Sequence, residues 1–289
     1  MQTVAELLQY HPFFIYLIIS FFFLAVGSLL NVVIYRLPLM LQQEWQHQCS
    51  ELLEVNEKIP EQSINLFFPR SFCPNCKSLV RAWQNIPILS YLFLRGRCYQ
   101  CHHNISIRYP LIELTTLLLS LYACWHFGFT FQLPFVLIAI WLLICLIFID
   151  LDHQLLPDSL TLSLLWLGLI ANTQNGFTPL PDAVLSAAVA YLSLWLFIKL
   201  FYLITGKVGM GNGDFKLFAA FGAWLGWMFL PLILLISSVS GAIIGLLYLH
   251  LNKKSKQTPI PFGPFLCIAG LIALLWGKVI ISSYVRFFL

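Results

Sequence analysis

The sequence predicts an all-α polytopic membrane protein of about eight transmembrane helices, with a small cytosolic zinc-binding domain between the first two. Three observations carry that reading. Of the 289 residues, 60% are hydrophobic and only 10% charged, with a mean hydropathy of +0.84, a balance too apolar for a water-soluble globule. Apolar runs of at least ~17 residues, enough to cross ~30 Å of hydrocarbon as a helix, recur along most of the chain. One polar stretch, residues 36–110, interrupts them, and it carries four cysteines at metal-ligand spacing.

In chain order, the expected spans lie near residues 12–35, 111–127, 133–149, 159–173, 183–204, 215–230, 232–251 and 265–283. The first has no lysine or arginine before Arg36 and so lacks the basic start of a cleaved signal; His11 to Tyr35 reads as a retained helix. The stretch 215–251 is too long for one span, and Pro231 is the expected point of the break. The chain thus divides into a first helix (1–35), an extramembrane domain (36–110) and a helical membrane domain (111–289).

Sidedness follows from the basic residues. If the polar domain is cytosolic and the spans alternate, its eight lysines and arginines share one side with Lys199, Lys207, Lys216 and the cluster Lys253, Lys254, Lys256; only Lys278 and Arg286 fall elsewhere. The formal charge of +4 therefore reports orientation in a lipid bilayer, and no nucleic-acid partner is expected.

Cys73-Pro-Asn-Cys76 and Cys98-Tyr-Gln-Cys101 form two knuckles whose thiolates can converge on one zinc. A reducing cytosolic setting argues against disulfides, and four thiolates close the coordination sphere, so the metal is expected to be structural. His102 and His103 are alternatives for one of the four Cys ligands, although adjacent histidines in a knuckle are more often simply exposed. Cys49, Cys124, Cys145 and Cys267 read as small apolar filler.

Ionisable groups within or beside spans are costly and become functional candidates. Asp158 and Asp182 each follow a proline and precede an apolar run, which is how helix N-caps look. Asp152 lies about 200° around the helix from Asp150 and reads as solvated. Glu113, near the start of the second span, reads as structural. Asp150 differs, because it ends an apolar run at the C-terminus of a helix, where the dipole disfavours an anion. Asp214 follows Gly209-Met-Gly-Asn-Gly213, a run that lets backbone approach closely. Alternating topology brings both to the cytosolic face, where two carboxylates can share a proton and activate one water, as in aspartic peptidases. The fields at their opposite helix ends place that proton mostly on Asp150. A nucleotide-binding reading of the glycines fails, because the run follows a hydrophobic helix and not a strand.

Asp150-Leu-Asp-His-Gln-Leu-Leu-Pro-Asp158 followed by Gly211-Asn-Gly-Asp214 resembles the bifunctional type IV prepilin peptidase and N-methyltransferase family. The resemblance extends to the cysteine knuckles, to Gly27-Ser-Leu-Leu-Asn-Val-Val-Ile-Tyr-Arg-Leu-Pro38 and to Thr258-Pro-Ile-Pro-Phe-Gly-Pro264, so nearly the whole chain takes part. It implies that Asp150 and Asp214 are the catalytic pair and that the substrates are prepilins and pseudopilins, cut after a glycine in a short basic leader. It also implies a multi-pass protein of the bacterial inner membrane whose large loop and active site face the cytosol. Methylation of the new N-terminal amine by S-adenosylmethionine is implied by the resemblance alone, with Gly96 the position carried over for methyl transfer.

Three other classes remain in view from the residues themselves, one of them a metal-dependent hydrolase using Asp150, His153 and Asp214. A proton-coupled transporter would place its carboxylates near the midplane on broken helices, whereas Asp150 and Asp214 lie at helix ends on one side. A structural assembly factor would need neither.

Overall fold

The computed structural model describes residues 12–53, 64–207, 209–251 and 260–288. The cluster Lys253, Lys254, Lys256 and the start of the Thr258–Pro264 stretch lie outside the described residues. Among the described residues eight helices of more than ten residues follow one another: α1 (Pro12–Leu52), then after the short α2 (Leu89–Phe93) come α3 (Arg108–Phe127), α4 (Gln132–His153), α5 (Asp158–Asn172), α6 (Leu180–Thr205), α7 (Asn212–Leu225), α8 (Leu230–Leu251) and α9 (Gly263–Phe288). Among the described residues six helical stretches are long and apolar enough to cross a membrane; α5 and α7 are shorter. The chain is therefore a helical, multi-pass membrane protein. Among the described residues the only β-structure is two isolated bridges, Phe72 with Leu79 and Arg97 with Asn104.

Two boundaries differ from the sequence expectation. The first helix does not stop at Tyr35 but runs to Leu52 through Pro38, because Leu39 to Glu44 are good helix formers that carry the helix beyond the apolar run. The break within 215–251 falls at Gly226 instead of Pro231. Gly226 adopts φ +79, which glycine enters at little cost, and a 3₁₀ turn (Trp227–Phe229) follows. Pro231 sits in the first turn of α8, where its missing N–H breaks no helical bond.

The chain divides into two compact units, Met1–Trp125 and His126–Leu289. In the first, α1 and α3 meet where Gly27 faces the Glu113 backbone, at 2.8 Å from an imagined Cβ. The buried Glu113 carboxylate accepts the Ile88 amide at 2.7 Å and a hydrogen bond from Ser28. The buried Arg36 guanidinium donates to the carbonyls of Asn65, Leu66 and Pro69, which fastens the loop that leads to the knuckles.

In the second unit α7 is the central element. It packs against α5, α6, α8 and α9, and every residue from Leu217 to Leu225 is buried. Small residues permit this, as expected where lipid supplies no hydrophobic drive between helices. Gly222 lies against the Ser186 backbone, Gly168 accommodates the Trp224 ring, and Gly270 accommodates Phe221. At the Trp224 end, Asn172 donates to the Ala223 and Trp224 carbonyls at 2.8 and 3.1 Å while its Oδ1 accepts the Phe177 and Thr178 amides. That one side chain joins the ends of α5 and α7, and the Trp224 indole N–H adds a bond to the Leu164 carbonyl at 2.9 Å.

Candidate active site

Asp150 sits three residues before the end of α4, and Asp214 lies in the first turn of α7. Both are buried, at 5% and 7% exposure, so each carboxyl is withdrawn from bulk water. They come close enough for their charges to interact. Each holds one main-chain donor: the Gly263 amide for Asp150 and the Gly211 amide for Asp214. Asp214 Oδ1 has no hydrogen-bond partner among the described residues. A buried acceptor left open in this way, beside a second carboxyl, is a place for a water or a substrate group.

The surrounding segments explain why the pair meets. After α4 the chain turns through Gln154, whose φ of +52 ends the helix, and runs as Leu155-Leu156-Pro157 to α5. Leu156 is buried against Gly213, where a Cβ would come within 2.7 Å of Leu156 Cβ, and against Gly263. The glycine before Asp214 therefore lets the α7 start close onto the segment that follows Asp150. Gly263 opens α9 directly on the other carboxyl, and a Cβ there would stand 2.5 Å from Asp150 Oδ2. Cys267, one turn further along α9, is fully buried and close enough to both carboxyls for their charges to reach it.

Other carboxylates resolve differently from the sequence expectation. Asp158 is not the N-cap of α5; Pro157 holds that position, and Asp158 pairs with Lys216 of α7, whose Nζ lies 2.6 and 2.7 Å from its two oxygens. Asp182 is likewise not a cap: Pro179 precedes α6, and Asp182 is exposed in the first turn, where the helix dipole favours an anion. Asp152 is exposed, as expected. Asp150 faces the N-terminal amide of α9 as well as the C-terminus of its own helix, so opposing helix-end fields act on it and do not by themselves place the shared proton there.

The knuckle sulfurs also converge. The Sγ atoms of Cys73, Cys76, Cys98 and Cys101 all lie within 4.8 Å of one another. Cys73 and Cys101 are 3.8 Å apart and Cys76 and Cys98 4.0 Å, against an edge of about 3.8 Å for a tetrahedron with ~2.3 Å Zn–S bonds. The two knuckles are built alike. Each is followed by a left-handed residue, Lys77 at φ +58 and His102 at φ +54, and each is closed by an isolated bridge. The Ser78 hydroxyl, 3.0 Å from Cys76 Sγ, pushes that thiol down to about 6, and the Cys101 and Gln100 amides lower Cys98. Thiolates are thus favoured at Cys76 and Cys98, two of the four positions where a zinc would need them. His102 and His103 stand outside the cluster. Gly96, two residues before Cys98, has φ +68, and a Cβ would sit 2.9 Å from the Tyr91 ring and hydroxyl. Of the other cysteines, Cys124, Cys145 and Cys267 are buried filler, but Cys49 is exposed on α1.

The sequence reading missed two participants. In the sequence Lys216 reads only as a marker of sidedness and Gly263 only as part of a motif; the proline and glycine density of Pro261-Phe-Gly-Pro264 is the available signal.

Residues 21–127 match the bacterial peptidase A24 N-terminal domain, and residues 137–246 match the type IV leader peptidase family. Over 279 residues, 96% of the chain and 97% of the relative, the sequence is 67% identical to a prepilin leader peptidase/N-methyltransferase of Legionella pneumophila. A protein of the same description from Pseudomonas aeruginosa is 50% identical over 99% of both chains, and one from Neisseria gonorrhoeae is 50% identical over 86% of both. No solved structure matches the chain.

Proposed function

Since the chain belongs to the type IV leader peptidase family, we propose that it is a membrane aspartic endopeptidase that removes the short basic leader from type IV prepilins and pseudopilins, and that it then methylates the new N-terminal amine. The observation that carries the peptidase half is the buried pair Asp150 and Asp214, with Asp214 Oδ1 open. One carboxylate takes a proton from a water held between the two, the hydroxide adds to the scissile carbonyl, and the protonated partner donates to the carbonyl oxygen. Collapse of the tetrahedral adduct returns a proton to the departing amine of the mature chain. No metal is needed in these steps.

Zinc, held by Cys73, Cys76, Cys98 and Cys101, would organise the polar segment between α1 and α3 without touching substrate, since four thiolates leave no open position. The methyl group comes from S-adenosylmethionine, with Gly96 as the position proposed for that activity. The tight fit of Gly96 against Tyr91 supports an indirect role, in which any side chain would shift the second knuckle. The bacterial inner membrane, with loop and dyad toward the cytosol, is the setting that the distribution of basic residues supports.

Purified protein mixed with a prepilin and S-adenosylmethionine should give leader loss and a methyl gain by mass spectrometry. An intact prepilin under conditions that keep the protein folded would rule the peptidase reading out. A transporter or assembly factor would likewise leave the prepilin whole.

A further inference from the structure

Two stretches of the polar segment present apolar side chains outward. In the first, Phe67 and Phe68 are exposed, Phe67 by 82%. In the second, Leu89, Leu92 and Phe93 stand exposed at helical spacing along one face of α2, Phe93 again by 82%. The other face carries Tyr91, whose hydroxyl reaches the Ile105 carbonyl at 3.4 Å and whose ring borders Gly96. The apolar face of α2 is thus the outward one, and clustered apolar side chains of this kind mark a contact surface.

Hydrogen bonds within this unit fix the depth of both stretches. The carbonyls of Asn65, Leu66 and Pro69, which bracket Phe67 and Phe68, are held by Arg36, the residue at which the apolar run of α1 ends. The Ile88 amide, one residue before α2, donates to Glu113 Oε2 at 2.7 Å. α3 has 20 residues and rises about 30 Å, so its whole length is needed to cross the hydrocarbon, and Glu113, in its second turn, lies about 7 Å inside. Helical side chains lean toward the start of their helix, which brings Ile88 to the edge of that layer and not beyond it. Asn31 of α1 donates to the Tyr109 carbonyl of α3 at 3.2 Å, so the two helices enter the layer at one level. Charge points the same way. From Ile64 to Ile112 the chain holds six lysines and arginines and no acidic residue, and Arg70, Arg95 and Arg97, next to the apolar stretches, are exposed.

We propose that Phe67, Phe68 and the Leu89, Leu92 and Phe93 face of α2 are seated in the adjoining lipid leaflet, among the outer acyl carbons, with the neighbouring arginines at the phosphates of anionic lipids. Residues already at the acyl boundary meet lipid without recruiting a partner, and apolar side chains with basic neighbours are the composition that holds a segment in the interface. Gly96 and the knuckle of Cys98 follow Phe93 directly. The seat therefore holds the cysteine-bearing part of the segment against the membrane surface, where otherwise it would hang on a free tether.

The test uses the wild-type full chain in nanodiscs of phosphatidylcholine and phosphatidylglycerol, doped with a phospholipid that carries a diazirine on its acyl chain, irradiated and mapped by mass spectrometry. Adducts are expected within 67–68 and 89–93, as well as at Leu111 and Leu114, which are exposed on α3, and not within 39–52, the part of α1 beyond its apolar run. Labelling of Leu111 and Leu114 with none at 67–68 and 89–93, as a second copy covering this face would cause, overturns the proposal. So does labelling of 39–52 as dense as theirs. Omitting phosphatidylglycerol should lower the yield at 67–68 and 89–93, relative to that on α3, about twofold or more. An unchanged ratio overturns the assignment to anionic lipid.

Discussion

Lys216 Nζ bridges both carboxylate oxygens of Asp158, at 2.6 and 2.7 Å, and so ties the start of α5 to the N-terminal part of α7, two residues beyond Asp214. The Asp158 side chain is 59% exposed, and pairs of that kind contribute roughly 0–1 kcal/mol to stability. Asp158→Asn and Lys216→Met should therefore melt close to the wild type. Each should lower the rate of leader removal by more than the about fivefold that ~1 kcal/mol represents, because Asp214 loses its register against Asp150. Exchange of the two charges should restore part of the rate. Equal losses in the singles and in the exchanged pair would dissociate the ion pair from the site.

Asp150→Asn and Asp214→Asn should each reduce leader removal by ~10² to 10⁴-fold, the range expected when one member of an acid–base pair is removed. Neither carboxyl can both activate water and protonate the carbonyl oxygen. Normal processing by either variant in a discontinuous mass-spectrometric assay would separate that residue from the chemistry.

Gly263 is the least tolerant position near the dyad. Its added Cβ would stand 2.5 Å from Asp150 Oδ2, so Gly263→Ala must displace the carboxyl by a sizeable fraction of an ångström. A shift of ~1 Å in a reacting group costs ~10²-fold. That loss should appear in kcat, with prepilin binding largely kept. A Gly263→Ala enzyme with wild-type kcat would show that the Asp150 carboxyl has room to adjust.

The cysteine knuckles predict one zinc per chain. Replacing any of Cys73, Cys76, Cys98 or Cys101 with Ser should release it and increase proteolysis between α1 and α3, since metal binding free energy is also folding free energy. Methylation should fall further than leader removal. Elemental analysis finding no zinc in folded wild type would refute the assignment.

How much of this could be read from sequence depends on the range of the interaction. Asp150 and Asp214 stood out because a charge beside an apolar span is costly wherever its partners are, and the knuckles because ligand spacing is local. The Asp158 capping assignment failed for the opposite reason: proline followed by Asp describes a helix start, but Lys216, far along the chain, is what the side chain contacts. Gly263 against Asp150 is a contact of the same kind, set by how α9 packs on α4. In 215–251 a glycine and a proline competed as break points, and only packing around Gly226 and Thr178 decided between them.

The shortness of α5 and α7 bears on the lipid around them. With 15 and 14 residues, they rise only about 21–23 Å, against ~30 Å of hydrocarbon. Both begin on the dyad side, and both end at the Asn172 junction, next to the exposed Trp227 and Met228. With that far end at one headgroup layer, the acyl chains bordering these helices must shorten or tilt to meet the other. A leaflet thinned there would let bulk water approach the depth of Asp150 and Asp214 although the neighbouring helices are long enough to cross the full thickness. Hydrolysis at the base of such a thinned patch needs no extraction of the substrate's hydrophobic segment from the bilayer.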